Sequence, residues 1–92
     1  MYQFILYAPL PPDLDRRLRE AFAGEASAHV RNLAFARRAD QDGYPEVARL
    51  FRAVAMAEKV HADEYLKFLE GVVGPTEENL QRAFESELKA KQ

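Results

Sequence analysis

Three observations mark this 92-residue chain as all-α. Apolar residues recur at alternating spacings of three and four, the period of a buried helix face. Glycine and proline fall mainly at the junctions between such stretches, with Gly24 the one interior breaker. The single segment of strand-like composition, Gln3-Phe4-Ile5-Leu6-Tyr7, has nothing else in the chain to pair with as a sheet. The expected architecture is a hairpin of two long helices followed by a shorter third helix. Three helices leave a bundle open on one side, and twofold association of two chains would complete it to four helices.

Taken in order, residues 1–12 carry no charge and close on Pro9, Pro11 and Pro12. They read as an apolar extended arm that packs on the helices or on a second chain. The helical domain spans 13–92. Asp13 is placed to cap the first helix, and Asp15 follows where acid suits the helix dipole. The pattern then runs to Asp42, where Gly43 gives a C-terminal stop and Pro45 a start for the second helix. The second helix is expected to reach Gly71. Val72-Val73-Gly74-Pro75 forms a turn, Thr76 is the candidate cap, and a third helix of about four turns begins at Glu77.

Composition narrows the function. A formal net charge of −2 argues against a nucleic-acid partner, which draws a basic excess. The clusters Arg16-Arg17-Arg19 and Arg37-Arg38 have acids nearby and read as solvated faces. The absence of cysteine excludes disulfides, thiolate metal sites and cysteine nucleophiles within this chain. No apolar run approaches a membrane span, and the opening segment lacks the basic region of a secretory signal. A cytoplasmic setting without nucleic-acid or membrane partners is therefore expected.

The second helix carries the chemistry. Val47, Phe51, Val54, Glu58, His61, Tyr65, Phe68 and Val72 trace one seam. Glu58 and His61 are the wrong residues for an apolar core, because a buried carboxylate without a partner costs several kcal/mol. Their Glu-x-x-His spacing sets both side chains on one face a turn apart, where both can ligate one metal ion. On the first helix Glu25 interrupts the apolar face of Leu14, Leu18, Phe22, Ala28, Asn32, Phe35 and Ala39, and on the third Glu87 follows Leu80 and Phe84. About Gly43 as pivot, Glu25 lies 18 residues before, and Glu58 and His61 lie 15 and 18 after. About Gly74, His61 lies 13 before and Glu87 lies 13 after. All four groups are thus expected at one level of the bundle. Carboxylates with an imidazole suit iron or manganese, with zinc less discriminated. A complete dinuclear carboxylate site of the ferritin-like kind needs two Glu-x-x-His helices, and this chain has one. A homodimer would supply the other.

Several runs are similar to the N-terminal half of rubrerythrin: Ala21-Phe22-Ala23-Gly24-Glu25, Asp42-Gly43-Tyr44, Ala57-Glu58-Lys59-Val60-His61-Ala62 and Lys67-Phe68-Leu69-Glu70-Gly71. Thr76-Glu77-Glu78-Asn79-Leu80 through Glu87 resembles the start of that family's second half. The resemblance implies a ferritin-like di-iron protein that reduces hydrogen peroxide. It implies Glu25 and Glu58 as carboxylate ligands, with Glu58 the candidate bridge, His61 on one iron, and Glu87 as the next carboxylate. Four departures accompany it. The second Glu-x-x-His is missing, as is the cysteine-ligated electron-donor domain. The tyrosine that the family places seven residues after the first glutamate is Asn32, and a further carboxylate often found three residues after the position of Glu87 is Ala90.

The leading expectation is a homodimer, or a larger homo-oligomer, with two irons per shared site, acting on peroxide or dioxygen with electrons from an external partner such as a rubredoxin-like protein. Manganese or zinc would be accommodated by the same ligands. The alternatives are a half-length ferritin-like iron-handling ferroxidase and a metal-free helical dimerisation module. Glu87 is either surplus in such a dimer or delivered by a third helix that swaps across to the partner. His29, one turn after Glu25, reads as a polar residue at the interface, with an auxiliary role near the metal as the lesser alternative.

Overall fold

The computed structural model describes residues 10–91, so the arm at residues 1–9 lies outside the described region. Three helices are present and, among the described residues, no strand: α1 (Pro12–Gln41), α2 (Pro45–Leu66) and α3 (Thr76–Ala90).

The helix starts differ from the expectation in one respect. Asp13 and Thr76 make no capping hydrogen bond. Pro11 and Pro75 occupy the cap positions, with Pro12 and Thr76 the first helical residues. A proline at the first helical position loses nothing, since its missing N–H is one of the unpaired donors anyway. Asp13 instead pairs with Arg16 and Arg17 on the exposed face.

The turn between α1 and α2 is a Schellman closure. Tyr44 N–H donates to the Ala39 carbonyl at 2.8 Å and Gly43 N–H to the Asp40 carbonyl at 3.1 Å. Gly43 has φ +86°, the left-handed conformation that favours glycine. The hairpin is thereby antiparallel and tight. The second helix stops at Leu66, short of the expected Gly71. Lys67, Phe68 and Leu69 N–H groups bond three residues back, tightening the chain into turns, and Gly71 then reverses it at φ +75°.

The contact between α1 and α2 is built from alanine. The buried apolar residues are Ala36, Ala39, Ala48, Ala55, Ala62 and Leu69, and no large side chain among the described residues is fully enclosed. Ala48, Ala55, Ala62 and Leu69 repeat every seven residues, the seam of two helices wound closely together. This revises the expected core stripe. Val47, Val54, His61 and Phe68, one position before these four, lie open along the flank of the hairpin. Small residues let the backbones approach, so the bulky ones cannot sit between them and are displaced to the edges.

The hairpin is pinned at both ends. At the turn, the Phe35 and Phe51 rings meet at 5.4 Å between centroids with a 60° tilt, and Arg52 pairs with Asp40 at 2.9 Å. At the open end, Arg19 Nη2 donates to the Glu70 carbonyl at 2.7 Å. The third helix packs against neither α1 nor α2. It is attached through its connection, where Arg82 donates to the carbonyls of Gly71 and Val72, and Asn79 exchanges two hydrogen bonds with Gly74. The radius of gyration is 16.9 Å, against about 12 Å for a closed domain of this length.

Ala48 is wholly enclosed. Substitution Ala48→Leu is expected to lower the unfolding free energy by about 1–3 kcal/mol by forcing the seam apart, as read by urea denaturation.

Candidate metal centre

The middle of the hairpin interface is polar. Three contacts cross it on successive turns, each linking a side chain of α1 to α2. His61 Nδ1 lies 3.4 Å from Glu25 Oε2. His29 Nδ1 lies 2.6 Å from the Ala55 carbonyl, and because a carbonyl only accepts, this nitrogen carries the proton and donates it. Asn32 Nδ2 donates to Glu58 Oε1 at 2.8 Å and to the Ala28 carbonyl of its own helix at 3.1 Å.

The first contact realises the expected level match about Gly43. Glu25 and His61, equidistant from that pivot, do meet. Their separation permits an ion pair when the imidazole is protonated, yet Glu25 Oε2 accepts no hydrogen bond although it is shut off from solvent. An unsatisfied buried carboxylate oxygen costs about 1–3 kcal/mol or more. His61 is placed differently: its side chain is 60% exposed, on the flank that also carries Val54 and Phe68. Glu58 is half-buried between the helices, with Oε1 held by Asn32.

The second level match, about Gly74, does not form within one chain. It required α3 to fold back on α2, whereas α3 stands away from the hairpin and Glu87 is exposed on it. Among the described residues no three carboxylate or imidazole groups come together around a common point. One chain therefore gathers Glu25, Glu58 and His61 along one stretch of the hairpin without closing a ligand sphere, and leaves Glu87 elsewhere.

These donors fit a divalent iron or manganese ion in kind, being hard oxygens with an imidazole. The orphaned Glu25 Oε2 is the atom that such an ion would satisfy. They fall short in number. The concave apolar recess of about 360 Å³ near the turn, lined by Phe35, Ala39, Tyr44 and Phe51 among others, contains none of them.

Sequence reasoning passed over two of the three cross-helix contacts. Asn32 registers in the sequence as the loss of a tyrosine, and His29 as an interface polar group. The available signal was position: both lie on the same side of α1 as Glu25, at four and seven residues beyond it.

Glu25→Leu in the metal-free protein removes the unsatisfied oxygen and adds apolar surface at the seam. Its expected effect is a gain of about 1 kcal/mol in unfolding free energy by urea titration. A loss would mean that the carboxylate is already satisfied.

Comparison with known proteins identifies the family. The family model described as Rubrerythrin matches residues 17–92. The chain is 42% identical over 71 residues to Reverse rubrerythrin-1 of Clostridium acetobutylicum, covering 76% of this chain and 39% of that protein. It is 37% identical over 81 residues to Rubrerythrin of Porphyromonas gingivalis, covering 75% and 40%. It is 36% identical over 84 residues to Rubrerythrin-2 of Clostridium acetobutylicum, covering 77% and 46%. The chain thus spans less than half the length of each of these relatives. With an all-helical hairpin, a Glu-x-x-His turn facing Glu25, and a family match over most of its length, the chain belongs to the rubrerythrin family.

Proposed function

We propose that two copies of this chain associate through the open flank of the α1–α2 hairpin and hold between them a carboxylate-ligated di-iron site that reduces hydrogen peroxide or dioxygen. The observation that carries the reading is Glu25 Oε2, buried without a hydrogen bond beside His61. A protein gains nothing from burying a carboxylate this way unless another charge answers it. One chain offers two glutamates and one histidine, and twofold symmetry doubles the set to the four glutamates and two histidines of a ferritin-like dinuclear centre.

The exposed apolar flank favours a second copy as the occupant. Val47, Leu50 and Val54 lie open on α2 and Phe68 in the turns that follow it, with His61 between Val54 and Phe68 along the chain. Their burial would add the large side chains that the alanine seam lacks. A partner seated there would enclose His61 together with Glu58. The third helix has its own part in this reading. Leu80, Phe84 and Glu87 share one face of α3, with Leu80 and Phe84 largely exposed. Packed across on the partner, that face would bury its apolar residues and bring Glu87 in as a further carboxylate.

Two irons held in such a site would supply the two electrons that, with two protons, reduce one hydrogen peroxide to two waters. The chain's own groups do the rest. Glu25 and Glu58 supply negative charge that holds a divalent cation pair, and His61 supplies a neutral nitrogen donor. The alanines and flanking valines exclude water from the level of the glutamates, which strengthens each electrostatic contact there. These 92 residues contain no cysteine, so the electrons would reach the site from outside them, in keeping with a rubredoxin-like donor.

Metal analysis of protein purified after ferrous loading, combined with sedimentation, tests this. The expected outcome is a dimer or larger assembly with about one iron per chain, two per shared bundle. His61→Ala and Glu58→Ala are each expected to reduce bound iron to background while the helical signal is retained. A dimer with no iron after loading would instead make the chain a metal-free dimerisation module.

A further inference from the structure

We infer that the edge of the hairpin opposite its open apolar flank docks an acidic single-electron carrier protein, through Arg37, Arg49 and Arg52 beside the exposed Val30, Met56 and Val60. This surface rests on the metal-site reading above, whose electrons it would deliver. The Arg52–Asp40 ion pair at 2.9 Å fixes which side chains share the edge. Arg49 lies one turn before Arg52 on α2 and Arg37 one turn before Asp40 on α1, each rotated further from the alanine seam. Because the helices run antiparallel, these two arginines fall on either side of the pair, about 9 Å apart along the axis. Both are exposed, and among the described residues neither enters an ion pair. Glu46, a turn nearer the hairpin tip, pairs with neither. The edge therefore sets three guanidinium groups against the Asp40 carboxylate, a local positive excess on a chain whose net charge is −2.

The same edge carries apolar surface. Met56 and Val60 are 60% and 52% exposed and follow Arg49 along one side of α2. Val30 of α1, 64% exposed, lies as far before Gly43 as Met56 lies after it, so the two stand at one height. A second copy seated on the open flank leaves this edge uncovered, because Met56 is about 200° around α2 from Val54. Cations beside an apolar centre suit a brief encounter with an acidic protein: charge speeds and orients the approach, and the small apolar contact holds it. Electron-transfer encounters are among the smallest of protein interfaces. Nucleic acid fits the edge less well, since it offers neither a long cationic track nor an aromatic ring for bases to stack on. Arg52 precedes Glu58 by six residues, about 9 Å along α2, and one helix thickness of about 10 Å separates the edge from the flank. A carrier docked here lies near the proposed irons. Each encounter passes one electron from the reduced carrier to a ferric ion, making it ferrous, so two encounters restore the pair spent on one peroxide.

The test uses the iron-loaded full chain with excess peroxide and an acidic rubredoxin held reduced, whose reoxidation is followed by stopped-flow absorbance across a range of ionic strength. The double variant Arg37→Glu with Arg49→Glu is expected to lower the second-order rate at low salt by about 10-fold or more. It should also lose the decline with salt that the wild type shows. Arg37→Gln with Arg49→Gln removes the charge without reversing it and should fall between the two. Iron content, and turnover with hydroquinone as a small uncharged reductant, should not change, because neither arginine is at the glutamates. Equal rubredoxin rates for wild type and variants at low salt would overturn the docking surface. So would a matching loss with hydroquinone, or a wild type that oxidises hydroquinone and not the rubredoxin. In each of those cases iron is bound and the metal site stands. Failure of the wild type to take up iron would overturn the metal site itself, and the carrier's role with it.

Discussion

The close approach of α1 and α2 along their alanines is the constraint on which the rest of the structure depends. Ala48 packs with Ala36 and Ala39 near the turn, and Ala55 and Ala62 are buried further along α2, so large apolar side chains are at most partly enclosed between the helices. Two consequences follow. Side chains that cross the seam do so from positions beside the alanines, and those that cross in the middle of it are polar. Bulky apolar residues are turned outward, so the hairpin carries more large hydrophobic surface on its flanks than in its interior. A seam of this kind gains little from burial per residue, because each methyl removes little area from water.

The polar middle of the seam makes sense against that background. A helical hairpin that sought stability alone would fill these positions with leucine, since replacing buried polar groups by apolar ones is often neutral or favourable. Here four polar side chains and a histidine on the flank occupy about three turns, and their hydrogen bonds satisfy all but one of the buried side-chain atoms, Glu25 Oε2. The single unsatisfied atom is on a carboxylate, beside an imidazole. Satisfied groups fix the geometry, and the unsatisfied one keeps an attraction for positive charge. The same division, between what holds and what waits, gives the proposed metal site its physical basis.

Surface ion pairs contribute little to this. Most are pairs three or four residues apart on an exposed helix face, each worth at most a few tenths of a kcal/mol. The cross-helix contacts at the two ends, Arg52 with Asp40 and Arg19 with the Glu70 carbonyl, matter more for register than for stability. They align the two helices lengthwise, and the level at which Glu25 meets His61 depends on that alignment.

The sequence by itself determined the helices, the stop at Gly43, and the meeting of Glu25 with His61, because helical rise is constant and a tight left-handed turn makes distance from the pivot a direct measure of height. It also identified Glu58 and His61 as misplaced in an apolar stripe. Tertiary structure alone decided which stripe is buried. Val47, Val54, His61 and Phe68 show the helical period as well as Ala48, Ala55, Ala62 and Leu69 do, and periodicity cannot distinguish stripes one residue apart. Size decided it, since two backbones approach most closely where the side chains are smallest. Tertiary structure likewise decided that α3 stays off its own hairpin, because counting residues from Gly74 gives a height and no direction. It gave Asn32 its partner as well, since a hydrogen bond across 26 residues depends on how one helix is rotated against the other, a quantity that no spacing along a single helix contains.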